Sequence, residues 1–192
     1  LNEDLRYLYE VVHGPIAVRS SSLLEDSHYQ PFAGIYSTYM IPHADTPEEA
    51  LTLLQKAIKG VYASVFYKDS KAYLTATQNV IDQEKMAIVL QEVIGSPHGE
   101  YTDQEGNKRD AYFYPTLSGV ARSLNFYPLG NETAEDGIAS LALGLGKYIV
   151  DGGVTLRLSP PHPNHILQLS DTEIALRETQ TRFYALDLQH AA

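Results

Sequence analysis

The apolar run at residues 86–94 constrains the fold more than any other part of this chain. It is too apolar and too short for a surface helix, so it predicts a central β-strand, which ends at residues 95–97 (Gly-Ser-Pro). A second apolar run at 15–18 turns abruptly polar at 19–22 (Arg-Ser-Ser-Ser) and predicts a buried strand that leads into a loop. Residues 32–41, rich in Tyr and β-branched side chains, predict a further strand.

Residues 46–66 predict an amphipathic helix, the clearest single element of the sequence. Thr46 is a suitable cap, Pro47 suits the first helical position, and Glu49 completes a capping box. The apolar residues that follow recur with a 3.6-residue period, so one face of this helix is expected to pack inward. Shorter helices are predicted over 2–13 and 68–78.

The second half of the chain predicts strands, loops and one weaker helix. Residues 98–110 are polar and leave two interpretations open, a hairpin or a mobile loop. Residues 135–150 are helix-like although two glycines weaken them. Residues 159–163 (Ser-Pro-Pro-His-Pro) predict a stiff polyproline-like connector and the best candidate boundary. The remaining predictions are strands at 111–117, 119–126 and 154–158, and either a helix or strands over 173–186.

Composition excludes several classes of protein. The chain carries 24 acidic against 14 basic residues, a formal net charge of −10, so its surface repels nucleic acid and any polyanion it binds must be small and locally held. With 0 cysteines it has no disulfide framework, zinc–thiolate site, iron–sulfur cluster or cysteine nucleophile. No apolar stretch approaches the ~18 residues of a membrane span. Leu1 is not an initiator Met and no basic signal-peptide region follows, so we expect the chain to start inside a larger polypeptide.

Generic catalytic motifs do not fit this sequence. The segment 144–147 (Gly-Leu-Gly-Lys) lacks the first glycine of a Walker loop, because Leu141 stands there, and a helix-ending or close-packing role is the better interpretation. His162 and His165 have a ligand-like spacing, but their neighbouring prolines favour an extended segment and no carboxylate is adjacent, which disfavours a metal site. The serines at 20–22 lack the glycines of a nucleophile elbow.

Arg19 and Gln91 are polar residues at places where a function and an ordinary structural role are both open. Arg19 places a planar, permanently charged guanidinium beside several hydroxyls at one sheet edge, as phosphate recognition requires. The alternative is an ion pair with Glu25 or Asp26, which the residues alone favour slightly. Gln91, inside an apolar strand, is equally explained by a bond to a neighbouring backbone group.

Five short blocks follow one another in a characteristic order. The first is A-V-R-S-S-S-L-L-E-D at 17–26 with F-A-G at 32–34. The others are Y-A-S-V-F at 62–66, I-V-L-Q-E-V-I at 88–94, S-G-V-A at 118–121 and G-L-G at 144–146. Together they resemble the A-V-R-S-S-x-x-x-E-D … F-A-G, W-A-S-L-F, V-V-V-Q-x-M-V, S-G-V-x-F-T and G-L-G-E blocks of the phosphoenolpyruvate synthase and pyruvate phosphate dikinase family. The resemblance covers about 14–158.

The resemblance implies an α+β fold of the ATP-grasp-like type, with mixed or antiparallel sheets and flanking helices, incomplete in this chain. It implies that Arg19 contacts the ATP phosphates and that Ser20 and Ser21 shape the loop. It also implies that Gln91, Glu92 and Val93 read the adenine edge, largely through backbone groups. Phosphoryl transfer to a histidine on a separate swivelling domain, and then to pyruvate, would rest on positioning and on charge neutralisation by Mg²⁺.

Several features depart from the family pattern. Lys147 stands where the family has Glu, and Arg122-Ser123 replaces F-T, so either an extra cation faces the phosphates or the phosphate site is altered. Three family motifs are not found in this sequence. They are the upstream Gly-rich segment with its ATP-binding Lys, the downstream metal-binding Glu and Gln near L-Q-x-R-P, and the T-C-H-A motif. Leu167-Gln168 lacks the R-P and does not replace that motif. We therefore assign no catalytic and no metal-binding residue to this chain.

The sequence thus predicts the ATP-binding portion of a cytoplasmic multidomain phosphotransferase, inactive in isolation. Residues 1–13 form a lead-in helix, 14–158 the partial nucleotide-binding domain, and 159–192 a Pro-rich connector and C-terminal segment. The expected partners are ATP, Mg²⁺ in the complete parent, and the phosphohistidine and pyruvate-binding domains of the same parent chain. Two alternatives stay open: a degenerate nucleotide-sensing or interaction domain, motivated by Lys147 and Arg122, and a relative of the glucan-directed dikinases.

Overall fold

The structure, a computed structural model, describes residues 2–22, 25, 34–76 and 85–189. It divides into two compact units, which are described separately. The first unit comprises Leu1–Ile94 with Asp187–Ala192, and the second comprises Gly95–Leu186. Both combine short helices with small antiparallel sheets, so the chain has a mixed α+β fold.

The described part of the first unit contains three helices and three strands, and its longest helix starts at a clear local sequence signal. Its longest helix begins where Thr46 Oγ1 accepts a hydrogen bond from the Glu49 N–H at 3.2 Å, with Pro47 in the first helical turn. This confirms the helix start that the sequence predicts. The elements are α1 (Asn2–Val11), β1 (Ile16–Ser22), β2 (Tyr39–Ile41), α2 (Pro47–Ser64), α3 (Lys68–Ala76) and β3 (Met86–Glu92).

The sheet of the first unit has the order β2-β1-β3, with both pairings antiparallel. The prediction that residues 86–94 form a central strand is therefore wrong, because β1 is central and β3 pairs only with β1 among the described strands. Side chains of β3 alternate between half-buried and exposed, so one face of this apolar strand lies open. Of the predicted strand at 32–41, only Tyr39–Ile41 is a strand, and residues 32–33 lie outside the described residues.

The core of the first unit lies between α2 and one face of this sheet. Ile16 and Val18 of β1 are buried against Leu54, Ala57 and Val61 of α2. Full burial of a Val or Leu side chain contributes about 1.5–3 kcal/mol, so this contact stabilises the described part of the unit substantially. The alternation of β1 then directs its intervening side chains to the opposite face of the sheet.

The second unit contains a hairpin and a separate three-stranded sheet. β4 (Ser96–Thr102) and β5 (Lys108–Tyr114) pair as a hairpin, so of the two interpretations of 98–110 the hairpin is right. Its turn is held by Asp103, whose carboxylate accepts from the Asn107 N–H at 2.8 Å and from Arg109 Nε at 2.7 Å. The hydrogen bond from Arg109 is the main cause that lowers the pKa of Asp103. Leu186 begins the short strand β9 (Leu186–Asp187), which gives the order β4-β5-β9.

The predicted helix over 135–150 is wrong. That segment contains a 3-10 turn (Ala134–Asp136), the strand β7 (Ile138–Leu143) and the one-turn helix α4 (Lys147–Val150). β7 lies between β6 (Leu117–Arg122) and β8 (Leu156–Leu158) in the order β6-β7-β8. Two flanking antiparallel partners satisfy its backbone groups, and these non-local pairings prevail over the weak helical pattern of the segment.

The C-terminal part of the second unit is a series of turns around one helix, α5 (Thr172–Glu178). The His162 N–H donates to the Ser159 carbonyl at 2.9 Å, so residues 159–163 form a turn where the sequence predicts an extended connector.

The predicted domain extents 1–13, 14–158 and 159–192 stay a prediction. No helix in the described part of the chain is long and apolar enough to cross a membrane.

Candidate nucleotide-binding site

The face of the first sheet that points away from α2 carries three of the predicted site residues. Arg19 lies opposite Val89, Ser21 opposite Ala87, and Gln91 opposite Ala17 in the β1–β3 register, and paired residues of an antiparallel sheet share a face. The side chains of Arg19, Val89 and Gln91 are exposed. This surface, called the open face below, therefore combines a guanidinium, a hydroxyl and a carboxamide with small apolar side chains.

Arg19 does not pair with Glu25. The Glu25 carboxylate instead accepts from the Ser20 hydroxyl at 2.8 Å and from the Ser22 N–H at 3.2 Å. The ion-pair alternative is therefore wrong for Glu25, while Asp26 lies outside the described residues. Because the carboxylate is held on the other side of β1, it leaves the Arg19 guanidinium on the open face.

Ser20 and Ser21 point to opposite faces of the sheet. The Ser20 side chain is buried and, with Ser22, fixes the first residues of the loop through Glu25. Ser21 is half-buried and shares the open face with Arg19. Of the two predicted serines, only Ser21 is therefore placed beside the Arg19 side chain.

Of the predicted adenine-reading residues, Gln91 and Glu92 also point to opposite faces of the sheet. Gln91 is exposed on the open face, diagonal to Arg19 at about 7–8 Å by strand geometry, and within the described residues its side chain bonds to no backbone group. The Glu92 carboxylate lies on the opposite face and accepts from the Gly14 N–H at 3.1 Å. Val93 follows the strand, and its N–H already donates to the Pro15 carbonyl at 2.8 Å.

The free edge of β3 offers backbone groups at Glu92. The bond between Val93 and Pro15 fixes the alternation of the antiparallel ladder, so the backbone of Gln91 bonds to β1 and that of Glu92 is directed away from it. The Glu92 N–H and C=O thus lie on the edge of the sheet that no described strand covers. An adjacent donor and acceptor of this kind match the hydrogen-bonding edge of a nucleobase.

Arg122 and Lys147 belong to the second unit. Arg122 is the last residue of β6 and its side chain is exposed. Lys147, the first residue of α4, forms an ion pair with Asp151 at 2.8 Å, and its Nζ lies 5.7 Å from the centre of the Tyr184 ring. The hydrogen bond with Asp151 raises the pKa of Lys147, so its positive charge is retained and locally paired.

The segment Gly144 to Gly146 is fixed from several directions. The Ser118 hydroxyl donates to the Gly144 carbonyl at 2.6 Å, and the Leu145 N–H donates to the Tyr184 carbonyl at 2.8 Å. A Cβ on Gly144 would lie 2.5 Å from the Tyr184 carbonyl oxygen, which confirms close packing at this glycine. The Gln180 carboxamide both donates to and accepts from the backbone of Leu143.

The most strongly bonded polar cluster of the second unit is one that the sequence does not predict. The Arg157 guanidinium binds both oxygens of Glu132, at 3.1 and 2.7 Å, and Asn125 Nδ2 donates to the same carboxylate at 2.9 Å. Asn125 is fully buried. The bond from Arg157 is the main cause that lowers the pKa of Glu132 to about 2. Asn125 and Glu132 lie in one loop, whereas Arg157 lies on β8, which pairs with β7, so no short motif links all three residues.

Among the residues that the structure describes, His162 and His165 belong to no three-ligand metal site. Their rings stack with centroids 5.9 Å apart, and His162 Nε2 lies 3.7 Å from Asp136. Across the ranges that the structure describes, no group of three or more His, Asp or Glu side chains is arranged to hold a metal ion. The Gln168 side chain of the Leu-Gln pair is already hydrogen-bonded to the backbone. Its carboxamide accepts from the Arg157 N–H and donates to the Thr155 carbonyl, both at 2.8 Å.

These features define an α+β domain with an exposed, phosphate-compatible sheet face. The chain belongs to the family of the pyruvate phosphate dikinase AMP/ATP-binding domain, whose model matches residues 1–180. It is also similar to the uncharacterized phosphotransferase YvkC of Bacillus subtilis (strain 168), with 33% identity over 140 residues. That match covers 73% of this chain and 14% of YvkC, so the chain spans a small part of this relative. The resemblance identified in the sequence is thereby confirmed, and the family, an AMP/ATP-binding domain, supports ATP as a ligand.

Proposed function

We propose that this chain is the ATP-binding portion of a multidomain phosphotransferase with an ATP-grasp-like fold, and that ATP binds along the open face. The observation that carries the proposal is that the exposed Arg19 and Gln91 and the half-buried Ser21 share one sheet face, with Glu25 bonded elsewhere. A guanidinium that lies clear of Glu25 is a bidentate donor to phosphate oxygens, and the Ser21 hydroxyl adds a neutral donor.

The remaining residues have different roles in this proposal. Val89 and Ala87 offer apolar surface to the base or the sugar, while the Glu92 backbone offers an edge for the adenine. The Glu92 carboxylate positions this edge by holding Gly14, and Ser20 positions the loop through Glu25. A role of Arg122 in phosphate binding stays a prediction from the family resemblance.

The ranges that the structure describes contain no cluster of three or more His, Asp or Glu groups placed to hold a metal ion, so no magnesium ligand is assigned to this chain. No step is therefore derived through Mg²⁺, and its ligands are assigned to other parts of the parent protein. Transfer of the phosphoryl group to a histidine on a separate domain, then to pyruvate, is likewise proposed for the parent, as is its cytoplasmic location. The isolated chain is expected to be inactive.

The degenerate-domain alternative is favoured by one observation, the replacement of an acidic family residue by Lys147, whose charge is paired with Asp151. A nucleotide sensor of this kind binds ATP without turnover. A glucan-directed relative would instead bind and turn over ATP with a carbohydrate acceptor. Steady-state assays of the parent with pyruvate and with a glucan separate the three cases: phosphorylation of pyruvate, phosphorylation of glucan, or none.

Calorimetric titration of ATP with Mg²⁺ into the intact parent tests the binding site. We expect Arg19→Ala to weaken ATP binding by about tenfold or more, since a charge-assisted hydrogen bond contributes about 1.5–3 kcal/mol. Arg6→Ala is the matched control, because Arg6 is an exposed arginine of the same unit, 3.6 Å from Glu48 on α2. Absence of ATP binding to the parent, or equal affinity of the two variants, would overturn the proposal.

A further inference from the structure

The second unit contains a cavity of about 680 Å³ that none of the predicted nucleotide-binding residues lines. Its walls are the loops 129–132 and 162–170, and Arg157 lies between them. The volume is within the range of about 300–1,000 Å³ typical of sites for small organic molecules. This surface is called the loop cavity below.

Both walls of the loop cavity are fixed by hydrogen bonds in the structure. Glu132 holds the first loop through Arg157 and through the Leu129 N–H at 3.0 Å. Gln168 holds the second loop to β8 through the backbone of Thr155 and Arg157. A cavity whose walls are already ordered binds a ligand without a large loss of conformational entropy.

The charged groups at the loop cavity are neutralised internally. Both terminal nitrogens of Arg157 donate to Glu132, and one of them also donates to the Tyr127 carbonyl at 3.1 Å. His162 faces Asp136 at 3.7 Å. A charged ligand would lose its hydration without gaining an unpaired counter-charge from Arg157 or Glu132, so the cavity favours an uncharged one.

Apolar and planar groups make up much of the remaining lining. Leu167 and Leu169 are 64% and 53% exposed, although they line a concavity, and so present apolar surface that a ligand would cover. The rings of His162 and His165 are nearly parallel, with an angle of 10° between their planes, and both residues line the cavity, as do Asn131 and Asn164, which carry carboxamides. Flat rings stack favourably on aromatic surfaces, and carboxamides offer both donors and acceptors.

We propose that the loop cavity is a second binding site, for a small uncharged aromatic molecule that carries a hydrogen-bonding group. The site goes beyond the proposed nucleotide site, since it is built only from residues of the second unit. Its histidine rings and carboxamides orient the ring and the polar group, and the leucines cover the ring edge.

Three isosteric probes that differ only in charge test this proposal: benzamide, benzoate and benzamidine. Amide resonances of the ¹⁵N-labelled 192-residue chain are followed during each titration. We expect benzamide to shift resonances of 129–132 and 162–170 saturably, with a dissociation constant on the order of millimolar. Benzoate and benzamidine are expected to bind at least fivefold more weakly, and excess ATP is expected to leave the benzamide shifts in place.

Leu167→Asp places a carboxylate on the cavity wall and is expected to weaken benzamide binding at least fivefold. The matched control is Leu176→Asp on α5, since Leu176 is 75% exposed and does not line the cavity. Both leucines are well exposed, so neither change disrupts a core, and unchanged resonance dispersion elsewhere verifies the fold. The proposal would be overturned if benzamide caused no shifts, or shifts only outside the two loops. It would also be overturned if ATP abolished the shifts, if Leu167→Asp left them unchanged, or if either charged probe bound more tightly than benzamide.

Discussion

The guanidinium of Arg157 on β8 and the carboxylate of Glu132 form two parallel hydrogen bonds, at 3.1 and 2.7 Å. This pair joins a strand of the second unit to the loop that precedes the 3-10 turn Ala134–Asp136. The Glu132 side chain is only 6% exposed and that of Arg157 26%, so the bonds are shielded from water more than an ordinary surface pair. The geometry makes the pair the main polar tie of the loop 125–132.

Removal of one partner of this pair is expected to destabilise the second unit. Glu132→Gln should lower the free energy of unfolding by about 2 kcal/mol, because it leaves the Arg157 charge without its partner. Urea denaturation followed by circular dichroism measures the change. Glu135→Gln, at a residue of the adjacent 3-10 turn, is the control, and a loss for Glu132→Gln no larger than for the control would contradict the role of the pair.

The same carboxylate predicts a pH dependence of stability. Arg157 lowers the pKa of Glu132 from 4.5 to about 2 in the folded chain, so between these values the unfolded state binds more protons than the native state. The stabilisation is complete above pH 4.5 and is lost as the pH falls through about 2. We expect the free energy of unfolding of Glu132→Gln to fall less steeply over this interval than that of the wild type.

Asp103 has to be separated from this effect, because the pKa of Asp103 is also lowered, chiefly by its bond with Arg109. Asp103→Asn gives the share of the slope that belongs to the hairpin turn. Equal slopes for the wild type and Glu132→Gln, with a flatter slope for Asp103→Asn, would assign the acid sensitivity to the turn instead.

Gln168 is predicted to stabilise the edge of β8. Its carboxamide accepts a hydrogen bond from the Arg157 N–H and donates one to the Thr155 carbonyl, so it bonds to backbone groups that a neighbouring strand would otherwise bond. Gln168→Glu keeps the acceptor but places a charge against a carbonyl oxygen, and should cost about 1–2 kcal/mol. Amide hydrogen exchange at Arg157 is expected to accelerate in this variant. Gln104→Glu in the exposed hairpin turn is the matched control, and equal exchange rates at Arg157 in the two variants would exclude the effect.

The elements that depend on local chemistry are predicted well from the sequence. α2 begins where Thr46 and Pro47 indicate, because capping and the fixed proline backbone act within a single turn. The apolar character of residues 86–94 identifies a strand correctly but not its place in the sheet. Val89 and Ala87 are apolar yet exposed on the open face, so hydrophobicity alone overstates the burial of β3.

Features that depend on distant residues are predicted poorly. β7 is a strand because β6 and β8 flank it, and neither neighbour is visible in a window around 138–143. The approach of Tyr184 to Gly144 and the bonds of Arg157 to Glu132 likewise join segments far apart in the chain. For the candidate site, the first motif singles out Arg19, whose role stays a prediction, whereas only the β1–β3 register separates Ser21 from Ser20 and Gln91 from Glu92.

Gly144 and Gly152 give a matched pair of backbone tests. Their φ angles are +74° and +71°, so alanine at either position costs about 1–2 kcal/mol for the left-handed conformation. An added Cβ meets the Tyr184 carbonyl oxygen at 2.5 Å and Phe183 Cδ2 at 2.8 Å at Gly144, but nothing within 4 Å at Gly152. Gly144→Ala should therefore lower the free energy of unfolding by at least about 1 kcal/mol more than Gly152→Ala. Chemical denaturation of the two variants measures the difference, and equal losses would show that the contact with Tyr184 does not hold residues 144–146 in place.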